Sequence, residues 1–384
     1  MPKVLVNALS VTNQSGLQVL AGHVGQLAEG LRGRVAFTVL CREDLDGLRR
    51  ALGDRVEWTF APAATRRWLP RAFWEHQNLP RLARRLGASV YFTPSGFAAH
   101  LPADVAQVVF CQNPWALVPA ARRRRDFLKA WLQRRAYRRA MRVAAVLVFN
   151  SRYMQEAYRA NAGFQEKRGL VVYQAPDDAT RGRAAALSDL PRRPGQIVCV
   201  SAMGRHKNAE AVVRALRGVR ESRPEARLVF AGAWPDAAYA REIRALVSAL
   251  GLQDAVEFKG HLPRAELDRL YAESRVFCLP SRCESFGIPA VEAQLFGTPV
   301  VGANGCAMPE IGGAGGFFRD PDDLEGLAAA LRALIEDDAE WQRRSVLARQ
   351  NADRFAWSRV SRPLVDLFAG LAAAPGSAAG DHSL

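Results

Sequence analysis

The stretch Glu284-Ser285-Phe286-Gly287-Ile288-Pro289-Ala290-Val291-Glu292 decides how this chain is read. Two carboxylates stand eight residues apart, with a glycine near the first and a helix-like run leading to the second. Pro289 suits the first turn of a helix, where its missing N–H costs no hydrogen bond. A helix opening there leaves residues 284–288 beside unpaired backbone N–H groups and the positive end of its dipole, which can hold a phosphate or sugar oxygen. Glu292 then projects from that first turn, close enough to accept bonds from hydroxyls of the same ligand. One carboxylate in a loop, one on a helix and amides between them can grip a sugar joined to a nucleotide.

Outward from this stretch the order of signals continues. Val276-Phe277-Cys278-Leu279-Pro280-Ser281 reads as a strand and a Pro-Ser turn. Ala293-Gln294-Leu295-Phe296-Gly297-Thr298-Pro299-Val300-Val301 reads as the end of a helix, a Gly-x-Pro turn and another strand. Met308-Pro309-Glu310-Ile311 follows as a further turn. This series resembles the retaining glycosyltransferases of family 4 in the GT-B superfamily. The resemblance implies an α/β fold of the GT-B kind, with two doubly wound Rossmann-like domains facing a central cleft. It implies an N-terminal acceptor-side domain over 1–188 and a donor-binding domain over 189–357. A final helix at about 358–370 packs back on the first domain, and 371–384, rich in Ala, Gly and Ser, is expected to be a disordered tail.

The alternation of short apolar runs with longer helical ones argues independently for parallel sheets covered by helices. Strands are predicted at Val4–Ala8, Val35–Leu40, Ser89–Phe92, Ala106–Phe110 and Ala145–Phe149. In the second half they are predicted at Ile197–Ser201, Arg227–Ala231, Val256–Phe258, Arg275–Leu279 and Pro299–Val301. The segment 177–195, rich in Asp, Arg, Ala and Pro, reads as the linker between domains.

The loop Val200-Ser201-Ala202-Met203-Gly204-Arg205-His206-Lys207-Asn208 resembles the family's glycine-then-basic loop. A diphosphate leaving group gains negative charge as the glycosidic bond breaks. Fixed cations at Arg205 and Lys207 would stabilise it more in the transition state than in the ground state, in place of a metal ion. By the same resemblance Glu284 contacts the sugar as the catalytic carboxylate, and the amides of Ser285, Phe286 and Gly287 serve sugar or phosphate. Glu292 binds ribose hydroxyls, and Gly260-His261-Leu262 lies where the base is positioned. In the first half, Ser15-Gly16 sits in the loop after strand one, before a helix over Leu17–Leu31, where glycine permits a close approach to phosphate. Where many relatives carry a His-Asp or His-Asn pair, this chain reads Phe110-Cys111-Gln112-Asn113-Pro114-Trp115. Gln112 and Asn113 are the acceptor-side candidates, and Gln112 only hydrogen-bonds and does not act as a base. Tyr173-Gln174-Ala175-Pro176 also departs from the Pro-Asn-Gly common among relatives.

With 384 residues the chain is long enough for two domains. Its formal net charge of +15 is uneven: residues 1–190 hold 29 Lys/Arg against 14 Asp/Glu, residues 191–384 hold 24 of each. Such asymmetry marks a half that meets something acidic. Arginines 122–125 and the mixed run Phe127, Ala130, Trp131, Ala136, Tyr137 and Met141 have helical spacing. With Arg66-Arg67-Trp68-Leu69-Pro70-Arg71-Ala72-Phe73-Trp74 they suit an anionic membrane surface or a lipid-linked acceptor; a half-buried helix with a solvated basic face is the alternative. The expected partners are a nucleotide-sugar donor and a saccharide or lipid-linked acceptor, with peripheral membrane contact and no nucleic acid. The expected location is cytoplasmic, at the inner face of the membrane. The six scattered cysteines form no Cys-x-x-Cys pair and read as reduced thiols. No cofactor and no metal is expected. Asp44-Leu45-Asp46 has metal-ligand spacing, but acids in a first helical turn are ordinary. A nucleotide-sugar epimerase of the same architecture and a basic nucleic-acid-binding protein are the competing readings. The first lacks support beside the Lys-Asn loop, the second lacks a recognisable nucleic-acid module.

Overall fold

A computed structural model of the protein describes residues 1–12, 14–118, 127–162 and 169–373. The chain divides into two compact units. The first holds Met1–Leu117, the described residues from Phe127 to Ala175, and Trp357–Ala373. The second holds Pro176–Ala356.

In the first unit seven parallel strands run β1 (Lys3–Asn7), β2 (Ala36–Arg42), β3 (Glu57–Ala61), β4 (Ala88–Thr93), β5 (Ala106–Cys111), β6 (Val146–Phe149) and β7 (Gly169–Val171). Their order across the sheet is β3-β2-β1-β4-β5-β6-β7, with Val4 opposite Phe37 and Val109 opposite Leu147. In the second unit six parallel strands run β8 (Gln196–Val200), β9 (Arg227–Ala231), β10 (Val256–Gly260), β11 (Val276–Leu279), β12 (Val300–Ala303) and β13 (Gly316–Arg319). Their order is β10-β9-β8-β11-β12-β13. Strands covered by helices on both faces are apolar throughout: Val4, Leu5 and Val6, then Val108, Val109 and Phe110, then Val276 to Leu279 are all buried. All ten predicted strands are present, nine of them central and β10 a partly exposed edge strand.

Three strands were not expected from the sequence: β3, β7 and β13. Each is the edge of its sheet and is only partly buried, so it lacks an unbroken apolar run. Two other expectations are corrected. The segment 177–195 is not bare linker: it contains the helix Ala179–Ala186, tied into the second unit by Arg183 on the buried Asp268 at 2.5 Å. The units accordingly part between Ala175 and Pro176 rather than after residue 188. Met308–Gly312 is a short helix, not a turn.

The C-terminal helix Arg362–Ala373 packs on the helix Gln14–Gly30 of the first unit. A Cβ on Gly22 would lie 2.3 Å from the Trp357 ring, so glycine is what lets the chain return there. His23 donates or accepts one hydrogen bond with the Ser361 hydroxyl at 2.9 Å and stands edge-on to Phe110 and Trp357. The expected tail begins in this helix, and residues 374–384 lie outside the described residues.

Candidate active site

In each sheet the strand order reverses beside the first strand: between β1 and β4, and between β8 and β11. Ligands of doubly wound sheets bind at the carboxyl ends of strands at such reversals. In the second unit the loop after β8 carries Lys207, and the loop after the neighbouring β11 carries Glu284. Their side chains meet: Lys207 Nζ donates to Glu284 Oε2 at 2.5 Å, with about one seventh of each side chain exposed.

Backbone holds this pair in place. The Arg282 N–H donates to the His206 carbonyl at 2.8 Å and joins the two loops. Beyond β12, the Ala307 N–H donates to the Glu284 carbonyl at 3.1 Å. Asn208 is left-handed at φ 58°, starts the helix Ala209–Arg220, and donates its side-chain amide to the Pro321 carbonyl at 2.8 Å. His206, between Arg205 and Lys207, has its pKa lowered by burial and by the Lys207 charge, against an opposing pull from Glu284.

The helix after Glu284 is Ile288–Leu295, with Pro289 in its first turn as expected. Gly287 begins it at φ 97°, a conformation that L side chains rarely adopt. Phe286 is buried and meets the Phe355 ring edge-on, centroids 5.5 Å apart; this anchors the loop so that its backbone stays put. Cys283 and Cys306 flank the same loop, buried, their thiols pushed up to about 12 by burial. They are neutral at physiological pH and add no charge to the site.

Two expected donor residues are placed differently. Arg205 does not join Lys207. Its guanidinium is taken by Glu242 through two bonds of 2.6 and 2.5 Å, touches Asp236 at 3.3 Å and lies over the Tyr239 ring. The acids belong to the helix Ala237–Ala249 and its N-cap, which offers a closer counter-charge than the Lys207 loop does. Glu292 is buried. Its Oε1 accepts from Arg264 at 2.6 Å and its Oε2 from the Tyr271 hydroxyl at 3.2 Å. Burial raises its pKa, and Arg264 works against that rise. Arg264 reaches Asp268 at 2.7 Å and Thr180 at 3.2 Å, so Glu292 belongs to a network spanning three helices. Arg264, Tyr271 and Asp268 carry no local motif, and the sequence offered no signal for them. Gly260 is the last residue of β10, at φ 64°.

In the first unit Gly16 lies within the first turn of the helix Gln14–Gly30, not in a loop. That turn starts beyond β1, at the reversal of the first sheet. Gln112 and Gln174 bond to each other: Gln174 Nε2 donates to Gln112 Oε1 at 2.8 Å, and Gln112 Nε2 reaches the Pro94 carbonyl at 3.4 Å. Asn113 closes a local turn, accepting from the Trp115 N–H at 3.0 Å, and its carbonyl accepts from the Tyr137 hydroxyl. Asp44 pairs with Arg42 and Asp46 with Arg49, so both acids of the Asp-x-Asp spacing already have cations. Among the described residues, no helix is long and apolar enough to cross a membrane. Arginines 122–125 lie outside the described residues.

The profile of "Glycosyl transferases group 1" matches residues 185–353, and that of "Glycosyltransferase Family 4" matches 20–179. A D-inositol 3-phosphate glycosyltransferase of Corynebacterium kroppenstedtii is 32% identical over 205 residues, covering 52% of this chain and 46% of that protein. A GDP-mannose-dependent alpha-(1-6)-phosphatidylinositol monomannoside mannosyltransferase of Mycolicibacterium smegmatis is 28% identical, covering 67% of each. The chain spans about half the length, or less, of the first curated relatives it matches. Among solved structures, a sucrose-phosphate synthase from Thermosynechococcus elongatus superposes with a TM-score of 0.75 at 18% identity, covering 97% of this chain and 100% of that one. The Anabaena protein HepE in complex with UDP and glucose gives 0.71 at 19%, covering 96% and 99%; at such identities the likeness is one of fold. With two reversing parallel sheets, a Lys-Asn loop and a two-glutamate helix start at neighbouring strand ends, the chain belongs to the family 4 glycosyltransferases of the GT-B fold.

Proposed function

We propose that this protein is a retaining glycosyltransferase. It moves a sugar from a nucleotide-sugar donor to a saccharide or lipid-linked acceptor in surface polysaccharide or glycolipid synthesis. The single observation that carries this reading is the Lys207–Glu284 pair at the reversal of the second sheet. The names of curated relatives, a phosphatidylinositol monomannoside mannosyltransferase and an O-antigen chain mannosyltransferase, support the acceptor class.

In this scheme the glycosidic bond to the diphosphate lengthens first. Lys207 takes up the charge developing on the departing phosphate, with no metal needed. Glu284 positions the sugar and stabilises its oxocarbenium character. The departing phosphate oxygen receives the acceptor's hydroxyl proton on the same face, so the anomeric configuration is kept. Glu292 holds ribose hydroxyls only by sharing oxygens already bonded to Arg264 and Tyr271.

The test is a thermal-shift screen against UDP-, GDP- and ADP-sugars, followed by transfer assays on Glu284→Gln. A true donor raises the melting temperature by mass action. The variant should then transfer about 10²- to 10³-fold more slowly. Transfer at the wild-type rate by Glu284→Gln overturns the assignment.

The first unit supports an acceptor at an anionic membrane. The helix Phe127–Val143 buries Ala130, Tyr137 and Ala140 but exposes Phe127, Leu128, Trp131 and Leu132 beside Lys129, Arg135 and Arg138. The helix Trp68–Leu86 exposes Trp68, Leu69 and Phe73 beside Arg66 and Arg67. Exposed aromatics among cations suit a headgroup layer. The chain should sediment with vesicles containing anionic phospholipid, and Trp131→Ser with Phe127→Ser should reduce that severalfold. No sedimentation with the anionic vesicles removes the membrane role, and equal sedimentation with neutral vesicles removes its dependence on anionic lipid.

A further inference from the structure

We propose that Glu284 competes with the nucleoside diphosphate for Lys207, so that re-forming the Lys207–Glu284 pair favours release of the product. The inference rests on the nucleotide-sugar reading above and adds a step to it. Lys207 and Glu284 are bonded at 2.5 Å, on loops joined by the bond between the Arg282 N–H and the His206 carbonyl. The pair is therefore a fixed feature of two anchored loops rather than a chance meeting of two flexible chains.

The other cations on these loops are committed elsewhere. Arg205 is held by Glu242 and Asp236, and Arg282 by Asp322. Lys207 is the loop cation bonded to Glu284, so it already has a counter-ion. A free diphosphate approaching it meets a neutral pair and a carboxylate that repels it. An intact donor changes this balance, because its sugar hydroxyls donate to Glu284 and draw the carboxylate off Lys207. The ammonium then turns its three donors to the phosphates. Once the sugar has been transferred, nothing holds Glu284 away, and it reclaims Lys207. The site thereby discriminates between donor and product, although both carry the same nucleotide.

The experiment is calorimetric titration of UDP, GDP and ADP into the full chain, wild type, Glu284→Gln, Lys207→Gln and the double variant. Whichever nucleotide binds the wild type should bind Glu284→Gln about tenfold tighter and Lys207→Gln at least about tenfold weaker. In the Lys207→Gln background the Glu284→Gln change should have less than about a twofold effect, because the competition acts through Lys207. An unchanged or weakened affinity in Glu284→Gln overturns the proposal. So does equal tightening in both backgrounds, which would make the effect one of field alone. If Glu284→Gln fails to fold by its melting curve, Glu284→Asp, which keeps the charge but shortens its reach, should bind the diphosphate tighter than wild type; failure to do so overturns the proposal. Binding of none of the three nucleotides by any variant, wild type included, removes the nucleotide-sugar reading and this step with it.

Discussion

Gln112 and Gln174 stand 62 residues apart in the chain and share one hydrogen bond of 2.8 Å. Each was noted separately from the sequence, against the pattern that the family resemblance implies. Their pairing depends on β5, β6 and β7 lying side by side, so it was not legible before the fold. A neutral amide fixed by a second amide offers donors and acceptors of constant strength across the physiological pH range. Gln174→Ala should therefore raise the acceptor KM about three- to tenfold and leave the donor KM unchanged, measured by steady-state transfer. Gln112→His should add to the pH profile of kcat/KM an inflection near the ordinary histidine pKa of about 6.5 that wild type lacks. An inflection of the same size in both proteins rejects a role for this position. Other residues follow the same rule of legibility. Lys207 and Glu284 stood out in the sequence because each sits in a loop after an apolar strand, and the fold brings their side chains together. The ion pairs of Arg205 were not foreseen because adjacency in sequence says nothing about Glu242, on a helix some thirty residues further on. The hold of Arg264 and Tyr271 on Glu292 arises only when two helices, Arg264–Glu273 and Ile288–Leu295, come together.

Among the elements, every central strand announced itself, and of the four edge strands only β10 did. Burial on both faces imposes an apolar run, and β3, β7 and β13 are released from it on one side. The helix Ala179–Ala186 was hidden for a related reason: it is short and polar, and its place is set by the Arg183–Asp268 pair. The helix Ile288–Leu295 was foreseen because proline and glycine punctuate its start. Gly287 there is under two constraints at once, φ 97° and a Met308 sulfur 2.9 Å from where a Cβ would stand. Gly287→Ala should cost about 1–3 kcal/mol of stability in a urea melt. It should also weaken the thermal shift given by a donor, because the amides of residues 285–287 move with the turn. A variant with unchanged stability and donor shift would show that the turn tolerates a side chain.

At the scale of the whole molecule, the first unit is completed by chain from both ends of the sequence. His23 marks that closure. It is buried, its Nδ1 bonds Ser361, its Nε2 has no hydrogen-bond partner among the described residues, and burial lowers its pKa to about 3. A histidine depressed from 6.5 contributes stability that is present above pH 6.5 and is lost as pH falls toward 3, because only the unfolded chain takes the proton. His23→Asn keeps a hydrogen-bonding amide and does not titrate. Between pH 7 and pH 4, wild type should lose about 3 kcal/mol more stability than this variant, read from urea midpoints. Parallel losses would assign the acid sensitivity to other groups. The division into two units was legible from element order, and the return of the final helix from the family resemblance; where the units part was not, because the helix Ala179–Ala186 looked like linker. Trp357, Val360, Leu364 and Phe368 are all buried in a unit whose other residues end at Ala175. On the ribosome that unit waits through the synthesis of some 180 further residues before its last helix emerges. Until then the groove that Gly22 leaves for Trp357 faces water as bare apolar surface, and a nascent chain stalled before residue 357 is a client for chaperones rather than a finished domain.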